Sequence, residues 1–267
     1  MKQSKQSEIE TESRSKRIEN STPKSLSVSI VIPARNEETN IAQLISRIEK
    51  IFSSSRPKGS FEIVLVNDNS NDRTGEIAEQ LSNVYGNIQV IHRTKDPGFG
   101  RAIKTGLRSA RKDVIIPMMG DNCDDPADAL KMLEEIEKGF DFIVGTRYNR
   151  GNISGMSILK RISSQGFTVF SNFLGVSMSD ICNAFKAYRR YVIKRVNPKS
   201  DGFQILVELP LTAYLLGYRF KEISVSWQAK KRTSKRSVIR RGPKYLKKAL
   251  ELLAKFKFMK CELPPYK

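Results

Sequence analysis

From Leu26 onward, apolar runs of strand length alternate with stretches whose apolar positions recur at helical spacing. SVSIVIP (27–33) is apolar almost without interruption, which predicts a strand buried on both faces. Ile41, Leu44, Ile45, Ile48 and Phe52 then fall on one stripe of a helix. Asn36 is the expected cap, with Glu37 and Glu38 favourable in the first turn. FEIVLVND (61–68), IQVIHR (88–93), DVIIPMM (113–119) and FDFIVGTRY (140–148) predict four further strands. Helical patterns over about 72–81, 98–111 and 127–138 separate them. Alternation at this rhythm means βαβ units and a largely parallel sheet. The predicted class is α/β, a Rossmann-like sheet flanked by helices.

After Tyr148 the rhythm changes. Helical patterns at about 155–174, 188–196 and 202–217 precede one more strand, YRFKEISVSW (218–227), and an amphipathic helix from Pro243 to Phe258. Residues 1–25 are almost wholly polar, too poor in apolar surface to offset the entropy of ordering, and read as a disordered tail. The expected division is therefore a tail at 1–25, one α/β domain at 26–228, and a basic helical extension at 229–267.

Charge sharpens that last boundary. The chain of 267 residues carries a net +19. Between Lys230 and Lys260 there are 13 Lys/Arg and a single acid, Glu251. Such a segment attracts phosphates, whether of lipid, nucleotide or nucleic acid. Three widely spaced cysteines (Cys123, Cys182, Cys261) form neither a disulfide framework nor a zinc module and suggest a reducing compartment. One histidine, His92, excludes a His-based metal site or a Ser-His-Asp relay; it ends a strand and reads as structural. The N-terminus has no apolar signal region, and no run of about 18 apolar residues suggests a spanning helix.

Four of the strands end in polar, loop-forming residues: PARNE (33–37), VNDNSNDRTG (66–75), MMGDNCDDP (118–126) and GTRY (145–148). Open α/β sheets bind ligands at the carboxyl ends of their strands. Asp121, Asp124 and Asp125 cluster at one such end, and oxygen-only ligands suit Mg²⁺ or Mn²⁺. Asp125 followed by Pro126 also reads as an ordinary helix cap. GFGRAIKTG (98–106) satisfies neither a dinucleotide fingerprint nor a phosphate loop, so its glycines are expected to serve helix-on-sheet packing.

In their order and spacing, PARNE, VNDNSNDRTG, GFGRAIKTG, MMGDNCDDP, GTRY and the late Ser234-Lys235 resemble family-2 glycosyltransferases of the GT-A fold. The likeness, over residues 26–240, is to the dolichol-phosphate mannose synthase and polyprenyl-phosphate glycosyltransferase branch. It implies a nucleotide-sugar donor held by Pro33, Arg35, Glu37, Val66, Asp68, Asp121, Lys230 and Lys235. It places Arg147, Arg161 and Ser164 at phosphate, all three among the residues that bind the acceptor. The family's D-x-D is replaced by D-x-x-D-D, which leaves the second metal ligand open between Asp124 and Asp125; Asp121 with Asp124 is the expected Mg²⁺ or Mn²⁺ pair. Asn67 stands where an aspartate is common.

Asp121, Asp124 and Arg147 are then the expected catalytic residues, neutralising charge on the departing phosphate. Glu208, an acid within the apolar ILVELPLTAYLLG (205–217), is expected to pair with a cation or to position the acceptor. The implied reaction is sugar transfer, with inversion, to a polyprenyl monophosphate, which is already an anion and needs no strong base. Transfer to a hydroxyl would instead need a carboxylate base, for which Asp180 and Glu208 are the candidates. A nucleic-acid-binding protein would account for the charge but not for four converging strand ends, so no nucleic acid is expected as partner. The expected place is the cytoplasmic face of a membrane, held peripherally by the basic C-terminus.

Overall fold

A computed structural model describes residues 25–147, 153–154, 166, 176–228 and 243–254. Its strands are β1 (Val28–Ala34), β2 (Phe61–Asp68), β3 (Ile88–Arg93), β4 (Val114–Pro117), β5 (Phe142–Thr146), β6 (Ile153–Ser154), β7 (Lys186–Arg189), β8 (Phe220–Ser224) and β9 (Trp227–Gln228). Its helices are α1 (Ile41–Ser55), α2 (Thr74–Tyr85), α3 (Phe99–Ser109), α4 (Pro126–Glu137), α5 (Arg190–Val196), α6 (Ile205–Leu215) and α7 (243–254). Seven strands form one sheet in the order β3-β2-β1-β4-β7-β5-β8, and β6 pairs with β9. Only β7 runs against its neighbours in the large sheet.

The continuous apolar strands are buried as their pattern implies. Side chains alternate between faces, so Ile30 and Ile32 of β1 join one apolar cluster with Ile41, Ile45 and Met132. Val31 joins the other, with Ala102, Ile103 and Leu209. Each fully buried side chain of this size contributes about 1.5–3 kcal/mol, so helices on both faces are what make a doubly apolar strand stable. Gly100 of α3 lets that helix close onto the chain beyond α5: a Cβ there would lie 2.4 Å from the Ser200 carbonyl oxygen. The helix-on-sheet packing expected of the 98–106 glycines falls to Gly106, where a Cβ would lie 2.3 Å from Val31 Cγ1 of β1.

Three local expectations are corrected. Asn36 does not cap a helix. It adopts φ 56°, and α1 begins only after Asn40, with no acid in its first turn. Its side chain instead ties two loops together, as described below. The 188–196 pattern hides the end of a strand. Ala187 packs on one face and Tyr188 on the other as β7 inserts between β4 and β5, and the helix starts at Arg190. The single strand expected at 218–227 is two, because Ser226 N–H donates to Asp128 at 2.7 Å and the chain leaves the sheet to pair with β6. Asp125 does cap α4, its side chain accepting from Ala127 N–H at 3.1 Å, with Pro126 in the first turn. The helical pattern at 155–174 lies outside the described residues. Helix α7 buries Ala249 and Leu252 in the same cluster as α3 and α6, so part of the basic extension packs on the α/β domain.

The order reverses between β1 and β4, with β2 and β3 on one side and β7, β5 and β8 on the other. Open sheets form a ligand crevice at such a point, outside the carboxyl ends of the strands.

Candidate active site

The crevice is walled on one side by the loops after β1 and β2, which are stitched to one another. Asn36 N–H donates to Ser70 Oγ (3.1 Å), and Asn36 Oδ1 accepts from Asn71 N–H (2.9 Å). Glu37 N–H donates to Thr74 Oγ1 at 2.8 Å. The positive φ values of Asn36 and Asn69 (56° and 55°) suit asparagine, which tolerates the left-handed region better than most side chains. Arg35 projects into solvent at the mouth, while Pro33 is buried. Asn67 reaches His92 Nδ1 at 3.0 Å, and His92 Nε2 reaches Glu79 at 2.7 Å, so the one histidine braces this wall.

Two residues implied as donor contacts have buried side chains. The Val66 side chain is fully buried in the second apolar cluster, so only its backbone is available to a ligand. Asp68 is 3% exposed, and its carboxylate accepts from Arg93 Nε (2.9 Å) and Gly98 N–H (2.7 Å). It ties the loop after β3 to the tip of β2. The sequence signal for Arg93 is its place as a cation at the end of a strand, beside the tip of β2.

The acidic loop forms the floor. Gly120 passes so close to β1 that a Cβ would sit 3.1 Å from the Pro33 carbonyl oxygen, which sets Asp121 beside the PARNE loop. The structure sorts the three aspartates. Asp125 caps α4 and pairs with Arg47 (3.1 Å), which also donates to Asn122 (2.7 Å). Asp121 Oδ1 accepts from Cys123 N–H at 3.1 Å at the loop's turn. Asp124 points inward and is buried. Burial, and then the charge of Asp121, push the Asp124 carboxyl up to about 7.

A buried carboxyl raised in part by a neighbouring carboxylate is relieved by a cation between the two, and oxygen ligands suit Mg²⁺ or Mn²⁺. Among the described residues no group of three or more acidic, His or Cys side chains could hold a metal. Two carboxylates would be an incomplete set, so an ion held by Asp121 and Asp124 would need further ligands from substrate phosphates and water, as Mg²⁺ commonly takes.

Arg147 leaves the end of β5 and is held by a buried carboxylate. Its Nε and Nη2 donate to Asp180 Oδ2 and Oδ1 at 2.7 and 2.8 Å, and its backbone N–H donates to the same carboxylate at 3.2 Å. The guanidinium lies 5.7 Å from the Trp227 ring centre, and its charge opposes the rise at Asp124. Asp180 thus serves as the anchor of Arg147, which corrects its candidacy as a base. Lys186 completes the cluster, its ammonium donating to the Ile181 (3.0 Å) and Asn183 carbonyls. No sequence signal marked Lys186, since a lone lysine in a short strand reads as solvated.

Burial, opposed by the charge of Asp180, lowers Lys186 to about 8. Below about pH 8 folded and unfolded chains both carry this charge, and the native state bears the cost of burying it. Between about 8 and 10.5 the unfolded chain binds the extra proton, so this group's contribution to stability rises with pH. Urea unfolding of the wild type against Lys186→Met should show the wild type gaining ground across that window. A pH-independent difference would mean that Lys186 does not titrate there.

Glu208 is the second corrected candidate base. Its oxygens accept from Lys199 N–H (3.0 Å) and Ser200 N–H (2.7 Å), with Lys248 Nζ at 3.4 Å, so it pairs with a cation as expected. Burial opposes its ionisation, but these bonds outweigh burial and hold the carboxyl below its usual range. Arg161, Ser164, Lys230 and Lys235 lie outside the described residues.

A mostly parallel sheet with one antiparallel insertion, reversing beside an acidic loop, is the GT-A architecture. The chain belongs to glycosyl transferase family 2, whose pattern matches residues 29–196. It is 33% identical over 188 residues to the dolichol-phosphate mannosyltransferase of Pyrococcus furiosus, covering 69% of this chain and 52% of that protein. It is 26% identical over 207 residues to the polyprenol monophosphomannose synthase of Mycolicibacterium smegmatis, covering 74% of this chain and 76% of the other. The chain thus spans about half the length of the Pyrococcus relative. Among solved structures, it is similar to glucosyl-3-phosphoglycerate synthase from Mycobacterium tuberculosis in complex with Mn²⁺, uridine diphosphate and glucosyl-3-phosphoglycerate. The TM-score is 0.69 at 16% identity, over 86% of this chain and 80% of that one. That likeness shows the fold.

Proposed function

We propose that the protein transfers a sugar from a UDP- or GDP-sugar to a polyprenyl monophosphate such as a dolichyl or undecaprenyl phosphate, with inversion and with Mg²⁺ or Mn²⁺ bound. The observation that carries the reading is the state of the two candidate bases. Asp180 is bonded to Arg147, and Glu208 to two amides and Lys248. A hydroxyl acceptor would need one of them to take its proton. A phosphate monoester is ionised near neutral pH and needs no such base. Relatives named for transfer to dolichol and polyprenol phosphates support the same acceptor class.

In this reading an acceptor phosphate oxygen attacks the anomeric carbon from the face opposite the nucleoside diphosphate. The sugar–phosphate bond breaks, and the electron pair leaves on the diphosphate. The divalent ion, when bound, supplies charge neutralisation for that leaving group. Asp121 and Asp124 would hold the ion, and Arg35 and Glu37 border the donor crevice. Arg147, kept rigid by Asp180 and Trp227, contributes a fixed positive charge that needs no reorganisation during reaction. The acceptor's lipid requires a bilayer, so the protein would work at a membrane surface, on its cytoplasmic face. Among the described residues no helix is long and apolar enough to cross a membrane.

The test is transfer of radiolabelled sugar from a panel of UDP- and GDP-sugars to undecaprenyl and dolichyl phosphates, with Mn²⁺, Mg²⁺ or chelator. Metal-dependent appearance of label in the organic phase with one donor is the expected result. Labelling only of a hydroxyl acceptor would overturn the acceptor assignment.

A further inference from the structure

A second concavity lies beside the donor crevice, a cleft of about 680 Å³ between the start of α3, residues 200–204 and helix α7. Its lining carries four cations, Arg101, Lys244, Lys247 and Lys248, against two acids, Asp201 and Glu251. Asp201 is engaged by Arg101 (3.2 Å) and Lys104, and Lys248 leans on Glu208. Lys244 and Lys247 make no ion pair among the described residues and stand exposed on the rim. The lining therefore has positive charge to spare and room for a phosphate group. The cleft adjoins the donor wall directly, because Gly98 both lines it and bonds to Asp68 at 2.7 Å.

The helix that supplies three of these cations is amphipathic in an unusual sense. At about 3.6 residues per turn, Tyr245, Ala249 and Leu252 form the stripe that packs on the domain. Lys244, Lys248 and Glu251 flank it on the cleft side. Leu246 and Leu250, one turn apart on the other flank, are 38% and 46% exposed, with Lys247 between the two groups. A helix with apolar residues facing outward beside lysines is the arrangement of an interfacial segment: leucines enter the acyl boundary while ammonium groups stay with the headgroups. The flanking sequence adds charge of the same sign, with 13 Lys/Arg and one acid between Lys230 and Lys260.

We infer that α7 is a docking surface for an anionic bilayer, with Leu246 and Leu250 inserted and a phospholipid headgroup phosphate drawn to the mouth of the cleft by Lys244 and Lys247. The inference deepens the proposed function, since a polyprenyl acceptor requires the protein to rest on a membrane. It also gives that contact a fixed geometry, with the donor crevice held beside the membrane. The group recognised is the phosphate of a lipid headgroup.

The test is co-sedimentation of the full chain with vesicles of phosphatidylcholine alone or with phosphatidylglycerol added, at low and high salt. Inorganic phosphate and RNA serve as separate competitors. The expected result is binding to the anionic vesicles only, weakened by salt. Lys244→Gln with Lys247→Gln should lower partitioning by about 25-fold, at about fivefold per lysine. Leu246→Ser with Leu250→Ser should remove the binding that survives high salt. All four positions are on the surface, so unchanged circular dichroism would show that the fold is retained.

Equal binding to neutral vesicles, or partitioning untouched by both double substitutions, would overturn the inference. So would displacement from vesicles by modest inorganic phosphate, or RNA binding stronger than vesicle binding. Vesicle binding needs no turnover. A protein that transfers sugar in detergent but ignores vesicles sinks this inference alone; one that binds vesicles yet transfers nothing sinks only the proposed reaction.

Discussion

Asp124→Asn is expected to reduce sugar transfer by on the order of 10²–10³-fold, the usual cost of losing a group that stabilises transition-state charge, while leaving thermal unfolding nearly unchanged. The two halves of this expectation have one cause. Burial and the neighbouring Asp121 already push the Asp124 carboxyl up to about 7, so near neutral pH much of it is protonated and uncharged. Asparagine reproduces the shape of that neutral form, and the fold loses little. What the amide cannot do is become the second carboxylate under a divalent ion. Asp121→Asn should impair transfer comparably, and it should also let the Asp124 carboxyl fall back toward the ordinary range, because one of the charges raising it is gone. Turnover measured across a Mn²⁺ titration, beside a thermal melt, reads both parts. Wild-type turnover of either variant at limiting Mn²⁺ would remove that aspartate from the metal site.

The largest loss of stability is expected from Asp180→Ala, about 3–5 kcal/mol, the range for removing one partner of a buried ion pair. Arg147 would keep its charge in a buried position with two of its strong hydrogen bonds gone. Lys186 would lose the nearby charge that favours its ammonium, adding to the cost. Replacing both partners by apolar residues of similar size, Arg147→Met with Asp180→Leu, should recover much of the stability, since no unpaired charge is left behind. Transfer should not return with it, because the fixed cation beside the acidic loop is absent. Arg147→Lys is expected to fall between them, keeping charge but losing the two-point grip on the carboxylate. Urea unfolding of the single and double variants measures the coupling. A penalty below about 1 kcal/mol for Asp180→Ala would mean that the pair does not hold the site together.

The two expectations separate chemistry from scaffold within a small volume. Asp121 and Asp124 stand where a ligand would change their charge state. Asp180, Asn183 and Lys186 form a buried polar bed beneath Arg147, with Asn183 Nδ2 donating to the Gly145 carbonyl at 2.8 Å. Such a bed is costly unless every member is bonded, and its density around one strand end is the reason to regard that end as functional.

The parallel core, and the sheet edge at which the candidate site was sought, followed from the pattern of residues alone. Five strands and the helices between them were visible because a strand covered on both faces must be apolar throughout, and a helix covering it must be apolar on one stripe. The Asp125 cap and the packing use of the 98–106 glycines were local chemistry of the same kind. Tertiary structure decided what local pattern could not express. β7 is four residues long, too short for a period to declare itself, and exists because β4 and β5 leave a gap that an antiparallel strand fills. Asn36 looked like a helix cap because its partners, Ser70 and Asn71, lie more than thirty residues away and become neighbours only when β1 and β2 pair. The roles of Asp124, Asp125, Asp180 and Glu208 were equally undetermined by residue type. A carboxylate can be a ligand, a base, a cap or an anchor, and which one it becomes depends on the donors and charges that the fold brings within hydrogen-bonding distance.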